Sequence, residues 1–302
     1  MIHTYRPATM ADIRAVYDVF TQTTADLERR MGSFENAEMW TDPAFVEDYW
    51  QTRGPLLEHL ARNADRFWVA ELDGQVIGYA RSSLHDGVRE LIDYYVLPSH
   101  QATGVGRELL ERAFPRGGSR RRAIIASTDI RALARYLKSG VYPRFPIYYF
   151  FRKPQPVSLE TGLEFRPSAG TPETLAAIRE IDRAILGFER DVDHEFLLND
   201  RQPYLFYRED RVAGYGYFGK GTGPVALLDE SDLPAVLARA ETESAARNEE
   251  EFGLQVPLIN RAAVDYLLEQ GFKMEDFTVL FMSDEAFGRF ENYILTSPPF
   301  FI

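Results

Sequence analysis

The chain has 302 residues, enough for two domains, with 45% hydrophobic and 26% charged residues, an ordinary balance for a globular protein. Its 34 basic and 46 acidic residues leave a net charge of −12, which argues against generic nucleic-acid binding and suits a cationic partner better than an anionic one. The absence of cysteine excludes disulfides, thiolate metal sites and cysteine nucleophiles, and no apolar run reaches the ~18 residues that span a membrane.

Elements follow in an α/β order. A strand is expected near Ile2–Arg6, then a helix from Ala11 to Met31, whose Ile13, Val16, Tyr17 and Phe20 fall at helical spacing. A second helix is predicted over Phe45–Ala64, with Pro43 at its start. Phe67–Leu72 and Val76–Ser83 read as a hairpin around Asp73-Gly74. Arg89–Leu97 is the next strand, closed by Pro98. After it comes Gln101-Ala102-Thr103-Gly104-Val105-Gly106, leading into the helical run Arg107–Phe114. A loop with two glycines between strand and helix suits an anion. The backbone can approach closely, and the first-turn N–H groups and helix dipole favour negative charge. A strand Ala123–Ser127, a helix Asp129–Lys138 and an aromatic strand Tyr142–Phe151 complete the first half. The cluster Arg116, Arg120, Arg121 and Arg122 reads as a solvated loop.

The pattern then recurs. Tyr5-Arg6-Pro7-Ala8 returns as Phe165-Arg166-Pro167-Ser168, the hairpin of Phe67–Ala80 as Tyr204–Tyr217, and Ala132–Gly140 as Ala263–Gly271. The offset shrinks from 160 residues at Arg6/Arg166 to 136 at Gly78/Gly214 and 131 at Gly140/Gly271. Residues 1–153 and 163–283 are therefore expected as two domains, with a proline-rich linker at 154–162 and a tail at 284–302. The end of the tail, Ser297-Pro298-Pro299-Phe300-Phe301-Ile302, is too apolar to float freely and should dock on the body or on a partner subunit, as in a homodimer.

Strand, Gln-x-x-Gly-x-Gly, helix is similar to the cofactor-binding motif of the GNAT superfamily of acyl-CoA-dependent N-acyltransferases. The resemblance covers residues 2–153 well and 163–283 in outline. It implies an α/β fold of two GNAT-like domains in tandem, each a mostly antiparallel twisted sheet flanked by helices. It also implies that Gln101, Ala102, Thr103, Gly104, Val105 and Gly106, with Arg107 beside them, hold the pyrophosphate of acetyl-CoA. A strand N–H near Val96 and Leu97 would polarise the thioester carbonyl. Asp129 stands where the family places a polar residue, often Asn, opening the last helix, and Tyr136 stands seven residues on, as the acid for the departing thiolate. Glu90 is the leading candidate for the base that takes the amine proton, and Asp93 the alternative. In a regular strand these two face opposite ways, a parity that a bulge would break. Plainer readings stay open: Tyr136 packed on the sheet, Asp129 a helix cap, Arg107 solvated, either carboxylate an exposed strand-start residue.

Competing motifs do not fit. A dinucleotide fingerprint needs a glycine where Leu109 stands, and a Walker loop needs Gly-Lys-Ser/Thr. The five histidines have no metal-ligand spacing, and no metal is expected. Where the second half should repeat the loop it reads Leu228-Asp229-Glu230-Ser231-Asp232-Leu233-Pro234, with three carboxylates at a helix start and no Gly-x-Gly. Tyr266 is one position short of the Tyr136 equivalent, where Leu267 stands. A degenerate second domain is expected. Arg29–Arg66, rich in aromatics and carboxylates, would wall the acceptor pocket, either binding a cationic amine or forming an amphipathic helix with solvated acids. The expected activity is transfer of an acetyl group from acetyl-CoA to a primary amine of a small molecule or peptide. The alternative is a non-catalytic acyl-CoA-binding regulatory module. The first residues lack the apolar core of a signal peptide, so a cytoplasmic location is expected.

Overall fold

The computed structural model describes residues 3–219, 221–297, 299 and 301–302; Ile2 of the expected first strand, and Pro298 and Phe300 of the tail, lie outside the described residues. The chain divides into two units. One runs to Ile124 and includes Asp129–Val141; the other is Ile125–Thr128 with Tyr142–Ile302.

The first unit opens with β1 (Thr4–Pro7) and a 3-10 turn at Met10–Asp12. Asp12 accepts from the Thr9 N–H at 2.7 Å and from both terminal nitrogens of the Arg6 guanidinium at 2.7 and 2.8 Å. This starts α1 (Ile13–Met31), which ends at Gly32 in the left-handed region, φ 88°. A short α2 (Phe34–Met39), not expected from the sequence, precedes α3 (Pro43–Arg62), capped by Asp42 on the Ala44 N–H at 2.9 Å. Strands β2 (Arg66–Leu72), β3 (Gln75–His85) and β4 (Val88–Val96) form an antiparallel meander, and β5 (Arg121–Ser127) joins β4 in parallel. Between them runs α4 (Val105–Ala113), and α5 (Ile130–Ser139) follows β5. One face of the meander packs on α1 and α3 through Val16, Phe20, Leu57, Val69 and Tyr79. Burying each such side chain contributes roughly 1.5–3 kcal/mol.

The second unit repeats the register of the first. β1 pairs with β2 as Tyr5↔Ala70; β7 (Glu164–Pro167) pairs with β8 (Arg201–Arg208) as Phe165↔Phe206. The β2/β3 hairpin shifts register at Ala70/Glu71, and β8 with β9 (Arg211–Gly219) shifts at Phe206/Tyr207. A short β10 (Val225–Leu227) follows β9, then α8 (Leu233–Ala246), β11 (Phe252–Pro257), α9 (Arg261–Glu269) and β12 (Lys273–Ser283). Helices α6 (Pro172–Ile185) and α7 (Asp191–Asp200) stand between β7 and β8.

The units do not divide where the sequence pattern suggests. β6 (Tyr142–Arg152) groups with the second unit because it pairs antiparallel with both β11 and β12. The expected linker is tied to α8: the Gln155 and Val157 N–H groups donate to Glu241 and Thr242 at 3.1 and 2.9 Å. The tail docks on the second unit, forming β13 (Tyr293–Ile294) against β10, with Phe301 and Ile302 buried. Among the described residues no helix is long and apolar enough to cross a membrane.

Candidate acyl-CoA site

β4 and β5 pair only from Val88↔Arg121 to Leu91↔Ile124. Beyond Leu91 the β3/β4 register skips Ile92, placing Asp93 opposite Arg81 and Leu91 opposite Ser82. The β4/β5 ladder ends at this bulge, and β4 runs on past it without a β5 partner, a splay of parallel strands that stop pairing. It also resets the alternation: Glu90, opposite Ser83, comes to the face that carries Asp93, so the parity expected for a regular strand does not hold.

The N-terminus of α4 stands at the end of this splay. Intrahelical bonding begins with the Glu108 N–H on the Gly104 carbonyl at 3.3 Å, so the N–H groups of Val105, Gly106 and Arg107 have no acceptor within the helix. Gly104 caps the helix at φ 97°, and Ala102 sits at φ 63°, a backbone state that costs a side-chain-bearing residue about 1–2 kcal/mol. Thr103 steadies the loop by donating its hydroxyl to the His100 carbonyl at 2.6 Å. Gln101 faces the strand, not the helix, donating Nε2 to the Val96 carbonyl at 2.9 Å. Arg107 is exposed and near Glu108 and Glu111, at 3.4 and 3.9 Å.

Leu97 departs from expectation. Its N–H donates to the Ile77 carbonyl at 2.9 Å and is not available to a thioester. Alternation turns the Val96 N–H the other way, toward the splay, and leaves Val96 as the strand donor there.

Gly106 lies under Tyr94. A Cβ at residue 106 would come within 3.2 Å of Tyr94 Cζ and closer still to its hydroxyl. The Tyr94 ring meets Tyr136 edge to face, centroids 6.0 Å apart, so loop and α5 are coupled through one side chain. Gly106→Ala is therefore expected to displace Tyr94 and weaken acetyl-CoA binding by roughly 1–3 kcal/mol, about 5- to 150-fold in Kd, measured by calorimetry.

Tyr136 is buried. Burial holds its phenol well above its ordinary value, with Tyr94, Tyr95 and Asp129 adding to the effect. Its helix is gripped at both ends. Asp129 caps α5 by accepting the Arg131 N–H at 3.1 Å and also takes the Arg30 guanidinium from α1 at 2.9 Å, so both carboxylate oxygens are engaged. At the far end Arg116 donates to the Lys138 carbonyl at 2.6 Å and Arg122 to the Ser139 carbonyl at 3.0 Å. These are carbonyls of the last helical turn, where cations are favoured. Arg116 and Arg120 are exposed in the loop as expected, but Arg121 and Arg122 open β5, and Arg122 is buried with its guanidinium 5.1 Å from the Phe114 ring centroid, so the solvated loop holds only the first part of the arginine cluster.

Asp93 is buried in an ion pair with Arg81, which also donates to the Leu57 carbonyl at 3.1 Å. Burial raises the Asp93 carboxyl and the Arg81 charge opposes this. A carboxylate held this way serves as an anchor, not as a mobile base. Glu90 is buried rather than exposed at a strand start. Farther along the same face stands Tyr95, edge-on to Phe20 at 5.3 Å; Phe20 meets Trp40 at 5.3 Å, and Trp40 meets Tyr49 at 4.8 Å. The carboxylates of this segment, Glu35, Glu38, Asp42, Glu47 and Asp48, are all exposed, and Glu47 pairs with Arg14 at 2.8 Å. The segment is thus amphipathic, with Trp40, Tyr49 and Trp50 packed against the core and the acids, together with Phe34, facing solvent. Among the described residues no group of three or more His, Cys, Asp or Glu could hold a metal ion.

Residues 26–141 match the family model of the Acetyltransferase (GNAT) family, a span that contains the splay, the loop and Tyr136. This part of the chain is a GNAT domain. No curated protein matches the chain by sequence. By fold, the whole chain is similar to solved structures. One is a candidate acetyltransferase from Pyrococcus horikoshii, at 16% identity over 96% of this chain and 92% of that one, TM-score 0.71. Another is a GCN5-related N-acetyltransferase from Sphaerobacter thermophilus, at 15% identity over 93% and 95%, TM-score 0.59. A third is a tandem GNAT protein from the clavulanic acid biosynthesis pathway, at 13% identity over 93% and 98%, TM-score 0.57. At these identities the likeness is one of fold. The GNAT family implies acyl-CoA-dependent acyl transfer.

Proposed function

We propose that the GNAT domain transfers an acetyl group from acetyl-CoA to a primary amine by direct attack. The observation that carries this reading is the strand splay at the Ile92 bulge, which leads to a helix N-terminus with three N–H groups lacking intrahelical acceptors. The residues present fit the cofactor: the N–H groups of Val105, Gly106 and Arg107 would receive the pyrophosphate, and the Val96 N–H would face the carbonyl. Acetyl-CoA supplies the acyl group as a thioester.

In this reading the acceptor amine comes from the aromatic side of β4. Its nitrogen forms a bond to the carbonyl carbon as the carbon–sulfur bond breaks. Val96 stabilises charge on the carbonyl oxygen, help that is often the largest single contribution in acyl transfer. Tyr136 donates its proton to the departing sulfur. The dry surroundings that hold the Tyr136 proton also make a nearby thiolate more basic, so the transfer is matched. Glu90, directly or through water, takes the amine proton. The second half plays a supporting part. Just before α8, Asp229 caps the 3-10 turn Glu230–Asp232 by accepting the Ser231 N–H at 3.0 Å, and Asp232 pairs with Arg208, so carboxylates crowd the place where a phosphate would otherwise sit and repel it.

The test is release of free thiol from acetyl-CoA across a broad panel of amines; the cysteine-free chain gives no background. Amine-dependent release is expected. Tight acetyl-CoA binding with no release for any amine would reduce the domain to an acyl-CoA-binding module.

A further inference from the structure

The second unit has its own version of the β4/β5 splay. Gly78, Tyr79 and Ala80 face Val96, Tyr95 and Tyr94; at an offset of 136 residues, Gly214, Tyr215 and Gly216 face Leu227, Ala226 and Val225. The Leu228 N–H donates to Ala213 as the Leu97 N–H donates to Ile77, at 2.8 and 2.9 Å. β10 therefore corresponds to Tyr94–Val96, the stretch of β4 that runs on past its pairing with β5.

In the second unit this edge is filled by the chain itself. Ile294 pairs with Val225 and Tyr293 with Ala226, while Leu295 bridges to Gln255 of β11, its N–H on the Gln255 carbonyl at 3.1 Å. The segment thus lies between β10 and β11. Asn292 Nδ2 donates to the Leu227 carbonyl at 2.8 Å, as Gln101 Nε2 does to the corresponding Val96 carbonyl. Tyr293, Ile294 and Leu295 are fully buried. Farther on, Arg201 donates to the Ser297 carbonyl at 3.0 Å, and the buried Arg190 donates to the Ile302 carbonyl. Arg190 also binds Asp182 at 2.9 Å and Tyr215 at 2.8 Å, and Asp182 takes His194 at 2.7 Å, so the segment covers a closed polar cluster.

We propose that Tyr293–Leu295 are a built-in strand occupying, in the second half, the groove that the first half offers to the acyl-CoA arm. The groove is a strand-binding site filled in cis: backbone groups at an open sheet edge need partners, and an added strand supplies them. The comparison with an acyl-CoA arm rests on the function proposed above; the groove rests only on β10, β11 and β13.

The test uses a chain ending at Gly288 and a synthetic peptide of residues 289–302. The shortened chain is expected to bind the peptide one to one. Exchange of the Val225 and Leu227 amides, which alternate toward β13, should be at least about 10-fold faster than in the full chain and should slow again when peptide is added. A shortened chain that is folded yet ignores the peptide, or exchanges these amides at the full-chain rate, overturns the proposal. If the shortened chain does not fold, full-length Leu295→Pro removes the N–H given to Gln255; faster exchange at Val225 supports the groove, and an unchanged rate overturns it. Acetyl-CoA titration of the same proteins reports on the first half separately, so failure of either reading is distinguishable.

Discussion

Tyr136→Phe is expected to lower kcat by roughly 100- to 1,000-fold while leaving the acetyl-CoA Kd within about twofold. The ring, its contact with Tyr94 and the packing of α5 all survive, so only the proton donor is lost. Without it the thiolate must leave uncompensated from a dry site, at a cost of about 2.7–4 kcal/mol in the transition state. An acid must be protonated to act, so ionisation of Tyr136 would remove activity as pH rises through its pKa. Burial places that pKa well above its ordinary value of 10.0, and no Tyr136-dependent fall in kcat is expected below pH 10. A variant with unchanged kcat would remove Tyr136 from the chemistry and leave it a packing residue.

Arg81→Met should destabilise the first unit by about 3–5 kcal/mol, seen as a fall of roughly 10 °C in the thermal transition of that unit. The change leaves the Asp93 carboxylate buried among Tyr49, Tyr79 and Tyr95 without its guanidinium, and leaves the Leu57 carbonyl without its donor. Replacing both partners with apolar residues, as in R81M/D93L, should recover most of the loss, because the penalty belongs to the stranded charge. Asp93→Asn separates an anchor from a base. As an anchor it lowers stability; as a base alone it would lower only the rate.

Much of this could be read locally. The Asp73-Gly74 turn appears with both residues at positive φ, 50° and 80°. Asp129 caps its helix, and the internal similarity of the two halves persists down to the same register shift at Ala70 and Phe206. What escaped the sequence is contact at long range. The Ile92 bulge carries no glycine or proline to announce it, yet it sets which carboxylates share a face. Arg81 reads as an ordinary strand residue, and only the fold shows it buried against Asp93. Arg116 and Arg122 look like a polar loop until the end of α5 is placed beside them. Leu97 could not be assigned without knowing which neighbour its N–H meets. The β13 strand is two residues long, too short for a periodic signal, and its partners lie 67 to 69 positions away, from Ala226 and Val225 to Tyr293 and Ile294.

The most direct measurement is a calorimetric titration of the full chain and its Gly106→Ala variant with acetyl-CoA. The expected result is one site per chain, weakened at least about fivefold in the variant, because the phosphate is proposed to sit on the first-half loop beside Gly106. Two sites per chain, or a single site indifferent to Gly106, would contradict the assignment of acyl-CoA binding to the splay between β4 and β5.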